Sequence, residues 1–380
     1  MCGDYTFDGN YEKFYTTRSA GGRWEASLTR SFPDDNAAYE TWLRTQCEVV
    51  DADLDYKHER MKRNAFVFLR ATYFRWARCI GKICPELKNA PTVLSVGDTH
   101  VENFGTWRDA EGRLVWGIND FDEAANIAYP FDLVRLAASV RLSPKIAITN
   151  RDSAAAILDG YRAGLAHPRP ILLDEQETWM RPFVACTDDD RRKFWAEIDG
   201  YPGAEPPAQV AGGLAGSLPA GASVLRFASR TKGGGSLGRP RYVVVAAWRG
   251  GKVVREAKAL VTSAWNWARG LAAEDIRFIE LANGKYRSPD PFLAVRNGYV
   301  LRRIAADSRK VDLGADEEGA ELTVRLLRAM GFDLGSIHAV GSGSADRIRS
   351  DLDERTEDWL HGAAKAAAAA VQQDYLEWTG

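Results

Sequence analysis

The stretch TVLSVGDTHVENFGTW, residues 92–107, decides the fold and the candidate chemistry of this chain. It opens with TVLSV, a short segment rich in β-branched and large apolar residues, which predicts a strand. Asp98 follows that strand directly, and Asn103 comes five positions later. From one loop, the Asp98 carboxylate can take a proton from a hydroxyl and the Asn103 amide oxygen can ligate a cation. The same residue types also form turns in which they only bond the backbone, and this loop alone does not separate the alternatives.

We call residues 97–103 the first acidic loop. A second acidic loop, residues 119–123, follows the predicted strand LVWGI. Asp120, Asp122 and Glu123 lie within four positions of one another. Carboxylates this close raise one another's pKa unless solvent or a cation neutralises them, and hard carboxylate oxygens suit Mg²⁺. The alternative is an acidic surface turn, but the apolar strand before it places Asp120 at a sheet end near the core.

A glycine-rich turn, residues 232–238 with the sequence KGGGSLG, contains GxGxxG at Gly233, Gly235 and Gly238. A dinucleotide-binding fingerprint needs a helix after these glycines. Here RYVVVAAW follows and predicts a strand, so dinucleotide binding is disfavoured. Backbone N–H groups of such a turn, including that of Ser236, can cover phosphates instead. A flexible hairpin tip is the alternative.

Lys258 lies in the next predicted strand, KVVREAKAL, residues 252–260. Period-two alternation puts Glu256 and Lys258 on one face of that strand. A buried lysine needs an anionic partner, which a phosphate and a helix carboxylate would supply. The candidates are Glu274 and Glu280 on a helix predicted over residues 271–283, and the sequence does not choose between them. The alternative is a lysine on a solvated face of the sheet.

The pattern along the chain is helical from about residue 36 to 88 and turns to strands at residue 92. Further helices are predicted over residues 130–142, 152–165, 188–198, 317–340 and 345–378. Residues 201–222 are dominated by Gly, Ala and Pro and predict a linker or long loop. The predicted organisation is an N-terminal helical region (1–90), a segment with both acidic loops (91–200), the linker (201–222), a β-rich unit (223–310) and C-terminal helices (311–380).

Composition excludes several classes of protein. The 380 residues carry 50 Lys and Arg against 52 Asp and Glu, a net charge of −2, which argues against a nucleic-acid coat or a polybasic membrane surface. The apolar runs are too short for a transmembrane helix, and the first residues do not have the pattern of a secretory signal. The five scattered cysteines fit a reduced compartment, so we expect a cytoplasmic protein. The five histidines show no zinc-ligand spacing.

Several blocks of the sequence, over a span from about residue 64 to 340, resemble a bacterial family labelled domain of unknown function 2252. That family is similar to aminoglycoside phosphotransferases and protein kinases. The resemblance is carried by FVFLRATYF, GDTHVENFGTW, LVWGINDFDEA, YPFDLVRLAASV, GGGSLGRPRYVVV and VREAKAL. GDTHVEN looks like the phosphotransferase pattern H-G-D-x-H-x-x-N, and GINDFDEA looks like I-D-F-x-D-A. Kinases present the glycine loop and lysine before these patterns, whereas this chain presents them after.

The resemblance implies roles for individual residues. Asp98 would be the catalytic-loop aspartate, and Asn103 would be a metal ligand. Asp120 would correspond to the kinase aspartate that holds Mg²⁺ on the β- and γ-phosphates, with Asp122 assisting. Asp132 is similar to the helix aspartate that braces the catalytic loop.

By the same resemblance, Arg135, three positions after Asp132, would pair with that aspartate. The resemblance also implies a circular permutation. The segment LLRAMGFDLGSIHAVG, residues 326–341, looks like the phosphotransferase helix that normally precedes the catalytic loop. YVLRRIA would enter the hinge between two lobes, where backbone groups meet adenine. Two departures stand out: Val96 replaces the usual histidine, and DFDE replaces DFG.

We therefore expect a two-lobed, α+β, protein-kinase-like fold with an antiparallel β small lobe, a mainly helical large lobe and permuted chain order. It would bind ATP and Mg²⁺ and move the γ-phosphoryl group to a hydroxyl acceptor, a small molecule rather than a protein, with no nucleic-acid or membrane partner. In this assignment Asp98 and Lys258 are catalytic. The expected nucleotide-binding residues are Gly233, Gly235, Ser236, Gly238, Lys258 and Glu280, and the expected metal ligands are Asn103, Asp120 and Asp122.

Three alternatives stay open: a nucleotide-binding pseudokinase, a nucleotidyl transferase on the same fold, and a structural protein whose glycines and acids only form turns. Aromatic and acidic residues near the expected cleft, among them Trp107, Trp116, Glu102 and Glu123, would suit a cationic acceptor. They would equally suit ordinary packing, which is the interpretation we prefer.

Overall fold

The computed structural model describes residues 30–144, 148–271, 275–311 and 317–380. Over these ranges the chain is a mixed α+β protein with antiparallel sheets. Residues 1–29 of the predicted N-terminal region and Glu274 lie outside them. None of the helices in the described part is both long and apolar enough to cross a membrane.

Four helices confirm the helical pattern predicted over residues 36–88: α1 (Phe32–Gln46), α2 (Asp51–Met61), α3 (Ala65–Ala71) and α4 (Tyr73–Ile83). Local chemistry sets where they begin. The Ser31 hydroxyl accepts a hydrogen bond from the Asp34 N–H at the start of α1, and the Asn64 side chain accepts one from the Val67 N–H at the start of α3. Such caps satisfy amides that the first helical turn leaves without partners.

Two small antiparallel sheets hold the acidic loops. Their strands are β1 (Thr92–Ser95), β2 (Phe104–Arg108), β3 (Leu114–Ile118), β4 (Ala125–Ala128) and β5 (Ile171–Leu172), paired β1–β4 and β2–β3–β5. The first acidic loop joins β1 to β2, and the second joins β3 to β4. Because Ser95 pairs with Ala125 and Phe104 pairs with Ile118, both ends of one loop lie against both ends of the other. Strand register therefore brings the two loops together.

A central helix, α5 (Pro130–Leu142), follows these sheets with the bounds that the sequence predicts. Every residue from Pro130 to Val140 is buried, including the charged Asp132 and Arg135. Buried charges need partners, and both residues find theirs in the first acidic loop.

The β-rich unit is a five-stranded antiparallel sheet in the order β6-β7-β8-β10-β9. Its strands are β6 (Ser223–Ser229), β7 (Arg241–Trp248), β8 (Gly251–Ala259), β9 (Ala294–Arg296) and β10 (Tyr299–Arg303). The glycine-rich turn joins β6 to β7. A two-residue turn joins β7 to β8 with Arg249 at φ 46° and Gly250 at φ 80°, the left-handed backbone that tight hairpins require.

The predicted linker over residues 201–222 is only partly a loop. It contains helix α9 (Ala208–Gly216), whose Val210 and Leu214 are buried against one face of the five-stranded sheet. These apolar residues are four positions apart and so share a helix face, which favours helix over linker. The opposite face of the sheet is covered by α8 (Asp188–Asp199) through Ile198.

The helix predicted over residues 271–283 is wrong in extent. The chain instead forms α10 (Ala264–Arg269) and the short α11 (Phe278–Ala282). Gly270 ends α10 with a left-handed φ of 63°, a common helix C-terminus. The C-terminal region holds α12 (Glu317–His338), α13 (Ser344–Asp353) and α14 (Trp359–Thr379), so the second helix predicted there is two helices.

The described chain also contains the short helix α7 (Arg181–Val184). Helix α6 (Asn150–Ala166) crosses α12 at very short range. Gly160 and Gly164 on α6 face Gly331 and Gly335 on α12, each against backbone of the other helix. A Cβ built on Gly160 would lie 1.8 Å from the carbonyl oxygen of Arg328. Glycine is therefore required at this crossing, which packs α12 against the rest of the main apolar core.

Candidate functional site

A crevice of about 1050 Å³ is lined by both acidic loops, by the glycine-rich turn and by the residues that follow β10. Residues Asp98, Asn103, Asp120 and Asp122 line it together with residues 233–236. A Cβ built on Gly235 would lie 3.8 Å from Oδ2 of Asp98. Segments that are far apart in the chain thus meet across one cavity.

Backbone geometry holds the first acidic loop in place. Gly97 has a φ of 83°, and a Cβ there would lie 2.4 Å from the Glu123 carbonyl oxygen. The Asp132 carboxylate on α5 accepts hydrogen bonds from the N–H groups of Val96 (2.8 Å) and Gly97 (2.9 Å). The Thr99 hydroxyl donates to the Asp132 carbonyl at 2.6 Å. Asp132 therefore braces the loop, and Val96, the residue that departs from the histidine of the phosphotransferase pattern, contributes through its backbone N–H.

Arg135 pairs with Asp98. The predicted pair of Arg135 with Asp132 is wrong. Its Nε and Nη2 lie 2.8 and 2.5 Å from Oδ1 of Asp98. The Asp132 oxygens are already engaged by loop amides and by His338 Nε2 at 3.2 Å, so the longer arginine side chain reaches past them. The guanidinium is buried and lies over the rings of Tyr73 and Trp76.

The Asp98 carboxylate keeps one oxygen toward the crevice, since the recorded Arg135 bonds all reach Oδ1. Burial raises the pKa of Asp98 above its ordinary value, although the charge of Arg135 opposes this. A carboxylate with a raised pKa is a stronger base than one in water. The arrangement suits proton abstraction from a group bound beside Oδ2.

Asn103 ties the two acidic loops together. Its Nδ2 donates to the carbonyl oxygens of Asp98 (3.1 Å) and Asp120 (3.2 Å). Using both amide hydrogens on the backbone leaves the side-chain oxygen as the group that can serve a cation. Asp120 is more exposed than Asp122: 42% of the Asp120 side chain is accessible, against 9% for Asp122.

Lys258 reaches the second acidic loop. Its Nζ lies 3.0 Å from Oδ1 of Asp120 and 2.7 Å from Oδ1 of Asp122, and its side chain is 2% exposed. Although desolvation raises the pKa of Asp120, the charges of Lys258 and Arg302 lower it well below its usual range overall. Asp120 therefore stays ionised, as a metal ligand must.

Asp122 is held between two cations. Besides Lys258, Arg239 Nη1 lies 3.3 Å from its Oδ2. Arg239 is itself buried, and it also contacts Glu123 Oε1 at 3.3 Å and the Tyr39 hydroxyl. Because both Asp122 oxygens already face a cation, this geometry favours Asp120 and Asn103, rather than Asp122, as ligands for a metal ion.

Glu280 does not partner Lys258. It is exposed on α11 and pairs with Arg277 at 3.0 Å, outside the lining of the crevice. The other candidate, Glu274, lies outside the described residues. The expectation of a helix carboxylate is wrong for Glu280 because the aspartates of the second acidic loop already neutralise the lysine.

Glu256 is a site residue that sequence reasoning missed. It is fully buried and pairs with Arg230 (2.5 Å), Arg241 (3.1 Å) and Arg302 (2.7 Å). Burial alone would raise its pKa, but the three guanidinium groups hold the pKa well below its ordinary value. Part of the signal was present in the sequence, because period-two alternation puts Glu256 on the strand face of Lys258. The structure adds the register of β8 and β10, which sets Arg302 opposite Glu256.

The glycine-rich turn lies against the helices α2 and α3. Gly233 and Gly238 have φ values of 107° and 93°. The Arg60 guanidinium donates to the Gly233 carbonyl at 2.5 Å, and the Val50 N–H donates to the Gly238 carbonyl at 2.9 Å. A Cβ on Gly235 would also lie 3.2 Å from the Arg70 carbonyl oxygen. The Ser236 hydroxyl accepts a hydrogen bond from Arg241 Nη2 at 3.0 Å.

The crevice is positively charged although the chain is not. Twelve Arg and Lys side chains line it against eight Asp and Glu side chains. Two of the aromatic and acidic residues that would suit a cationic acceptor are already engaged in packing or in hydrogen bonds. Trp116 is buried in the core, and Glu123 accepts hydrogen bonds from the Ala264 N–H (2.6 Å) and the Ser263 hydroxyl. Burial raises the pKa of Glu123 to about 7.

Comparison with known proteins adds one match. Residues 49–169 match the model of a bacterial family described as "Uncharacterized protein conserved in bacteria (DUF2252)". The match covers α2 to α6, including both acidic loops, and is shorter than the span of about 64 to 340 over which we see the resemblance. No curated protein and no solved structure matches the chain.

Proposed function

We propose that this protein binds ATP with Mg²⁺ in the crevice and transfers the γ-phosphoryl group to a hydroxyl acceptor. The proposal includes the kinase-like arrangement in permuted chain order. The observation that carries it is the meeting of the glycine-rich turn with Asp98 and Asp120 across one crevice, together with the ion pair of Lys258 and Asp120. A phosphate-covering turn, a lysine, a candidate base and a candidate metal ligand are the parts that phosphoryl transfer uses.

The donor set fits Mg²⁺. This ion is bound in proteins by one or two carboxylates together with substrate phosphates, rather than by an all-protein cage. In the described part of the chain no group of three or more His, Cys, Asp or Glu side chains could hold a metal ion alone. Asp120 and Asn103 would hold Mg²⁺ with the phosphates, and the bound ion would neutralise charge on the transferring group.

The remaining roles follow from position. Asp98 orients the acceptor hydroxyl and takes its proton, as the acceptor oxygen bonds to the γ-phosphorus and the bond to the ADP oxygen breaks. Lys258, Arg239 and backbone N–H groups of the glycine-rich turn stabilise the phosphates. Residues 304–306, which follow β10 and line the crevice, would face the adenine. Positioning and electrostatic stabilisation supply the catalysis.

Calorimetric titration with ATP, with and without Mg²⁺, tests the proposal directly. We expect saturable binding that strengthens when Mg²⁺ is present. Asp98→Asn should keep that binding and lose transfer, because it removes the base but not the phosphate contacts. Absence of nucleotide binding by the wild-type protein would refute the proposal and favour a structural role.

The mass of a treated acceptor separates the enzymatic alternatives. A phosphoryl increment supports the proposal, whereas an AMP adduct would show nucleotidyl transfer. ATP binding without any modified acceptor or ATP turnover would favour a pseudokinase.

A further inference from the structure

Beside Asp98, at the wall of the crevice, two cations share a single carboxylate. Arg70 Nη1 lies 2.7 Å and Lys310 Nζ lies 3.5 Å from the same atom, Oε2 of Glu102. All three residues line the crevice. Arg70 is also the residue whose carbonyl faces Gly235, which in turn faces Asp98, so this cluster borders the proposed base.

One carboxylate is too little negative charge for this cluster. Arg70 and Lys310 both contact Glu102, and Arg60 adds a third positive charge that acts on Arg70. Burial and the charge of Arg60 lower the pKa of Arg70, although the charges of Glu102 and Asp98 oppose this. Desolvation and the charge of Arg70 lower the pKa of Lys310, although the charges of Glu102 and Asp120 oppose this. Both cations would gain from a further anion.

The accessibility of the three side chains indicates which one can move. Glu102 is 41% exposed and Lys310 is 50% exposed, whereas Arg70 is 14% exposed. Arg70 is therefore a fixed cation at the wall of the crevice. The Glu102–Lys310 pair is exposed and can rearrange at small cost, because exposed ion pairs contribute little free energy. At Arg70, an incoming anion would take the place of the Glu102 carboxylate.

We propose that Arg70 and Lys310 bind an anionic group, a phosphate or carboxylate, of the hydroxyl acceptor, and that Glu102 occupies this place when no acceptor is bound. This inference rests on the proposed function, since it names the substrate class of the same site. The acceptor is then an anionic alcohol such as a sugar phosphate or a hydroxy acid. Arginine suits both groups because its planar fork matches their oxygens.

Four three-carbon alcohols test the inference by calorimetric titration of the full-length protein: glycerol, glycerate, glycerol 3-phosphate and the cation 3-amino-1,2-propanediol. Each titration is made with the protein saturated with a non-hydrolysable ATP analogue and Mg²⁺, so that the phosphate probe does not occupy the nucleotide region. We expect glycerate or glycerol 3-phosphate to bind at least tenfold more tightly than glycerol and the amine. The two anionic probes also show whether carboxylate or phosphate is preferred.

Three variants carry opposite expectations. Arg70→Gln and Lys310→Gln should each weaken binding of the anionic probe about tenfold, which corresponds to about 1.4 kcal/mol. Glu102→Gln should strengthen it, because the competing carboxylate is gone. Lys193→Gln is the matched control: this lysine also lines the crevice, but it is exposed on α8 and pairs with Asp189, so binding should not change.

The outcomes are distinguishable. Equal binding of all four alcohols, or anion binding that ignores Arg70→Gln and Lys310→Gln, would overturn the inference. If Arg70→Gln fails to fold, the Lys310→Gln and Glu102→Gln pair still decides it by opposite signs. Failure of the wild-type protein to bind the ATP analogue would refute the proposed function instead, and titration of the same probes without nucleotide would then decide whether this cluster binds anions.

Discussion

Arg135 directs its guanidinium at one oxygen of Asp98, with Nε at 2.8 Å and Nη2 at 2.5 Å from Oδ1. The arginine is buried on the central helix, and the aspartate lies at the edge of the crevice. Arg135 also donates to the Leu69 carbonyl at 2.8 Å, which joins the candidate base to helix α3. The orientation of the carboxylate is therefore set by the core of the protein.

Arg135→Met should lower the free energy of unfolding by about 3–5 kcal/mol, the usual cost of removing one partner from a buried ion pair. Urea denaturation followed by circular dichroism measures it. The control is Arg349→Met on α13, which removes an exposed Arg–Asp pair and should cost less than about 1 kcal/mol. A similar small loss for both variants would show that the Arg135–Asp98 pair does not stabilise the fold.

Lys258→Met should weaken ATP binding in the presence of Mg²⁺ at least tenfold. Without the lysine, Asp120 and Asp122 repel each other and the phosphates lose a cation. Lys252→Met is the matched control, since this lysine lies on the same strand and pairs with Asp199 at the surface. Unchanged affinity for Lys258→Met in the calorimeter would mean that Lys258 only neutralises the aspartates.

Gly160→Ala should destabilise the protein by more than about 2 kcal/mol, because the new Cβ forces α6 and α12 apart and opens voids in the core. Gly212→Ala on α9 is the control. A Cβ there meets nothing within 4 Å, and alanine favours helix over glycine by about 1 kcal/mol, so stability should hold or rise. Thermal unfolding of both variants checks the difference, and equal melting temperatures would contradict the described crossing.

Lys57 makes the free energy of unfolding depend on pH in the alkaline range. Its ammonium is buried and lies 5.9 and 5.8 Å from the ring centroids of Tyr39 and Phe74, and within the described ranges it forms no ion pair. Burial lowers its pKa to about 8, below the value of 10.5 that an exposed lysine has. The unfolded state therefore binds more protons between pH 8 and 10.5, and the contribution of Lys57 to stability rises with pH across that window.

Lys57→Met should remove this contribution. The free energy of unfolding at pH 7 should increase by up to about 3 kcal/mol, because a charged lysine no longer has to be buried. Urea denaturation at pH 7, 8, 9 and 10 shows the change in slope. Lys62→Met, in an exposed pair with Glu59, should follow the wild-type profile. A wild-type slope in Lys57→Met would assign the alkaline dependence to other groups.

Much of the fold could be predicted from local patterns. The bounds of α5 and β7 agree with their predictions, and β8 agrees to within a residue at either end. These segments combine strong periodicity with clear end signals, such as Pro130 at the start of α5. Helix α9 was missed because its glycine and alanine content is typical of linkers, and only packing against the sheet makes it a helix.

Local residue patterns were enough to predict the chemical groups of the site: acids directly after strands, a glycine-rich turn and a lysine on an alternating strand. Tertiary structure decided which of these charges meet. Arg135 binds Asp98 instead of Asp132, and Lys258 binds Asp120 rather than Glu280. Local propensity depends on near neighbours in the chain, whereas an ion pair depends on the register and packing of distant segments, which spacing along the sequence does not encode.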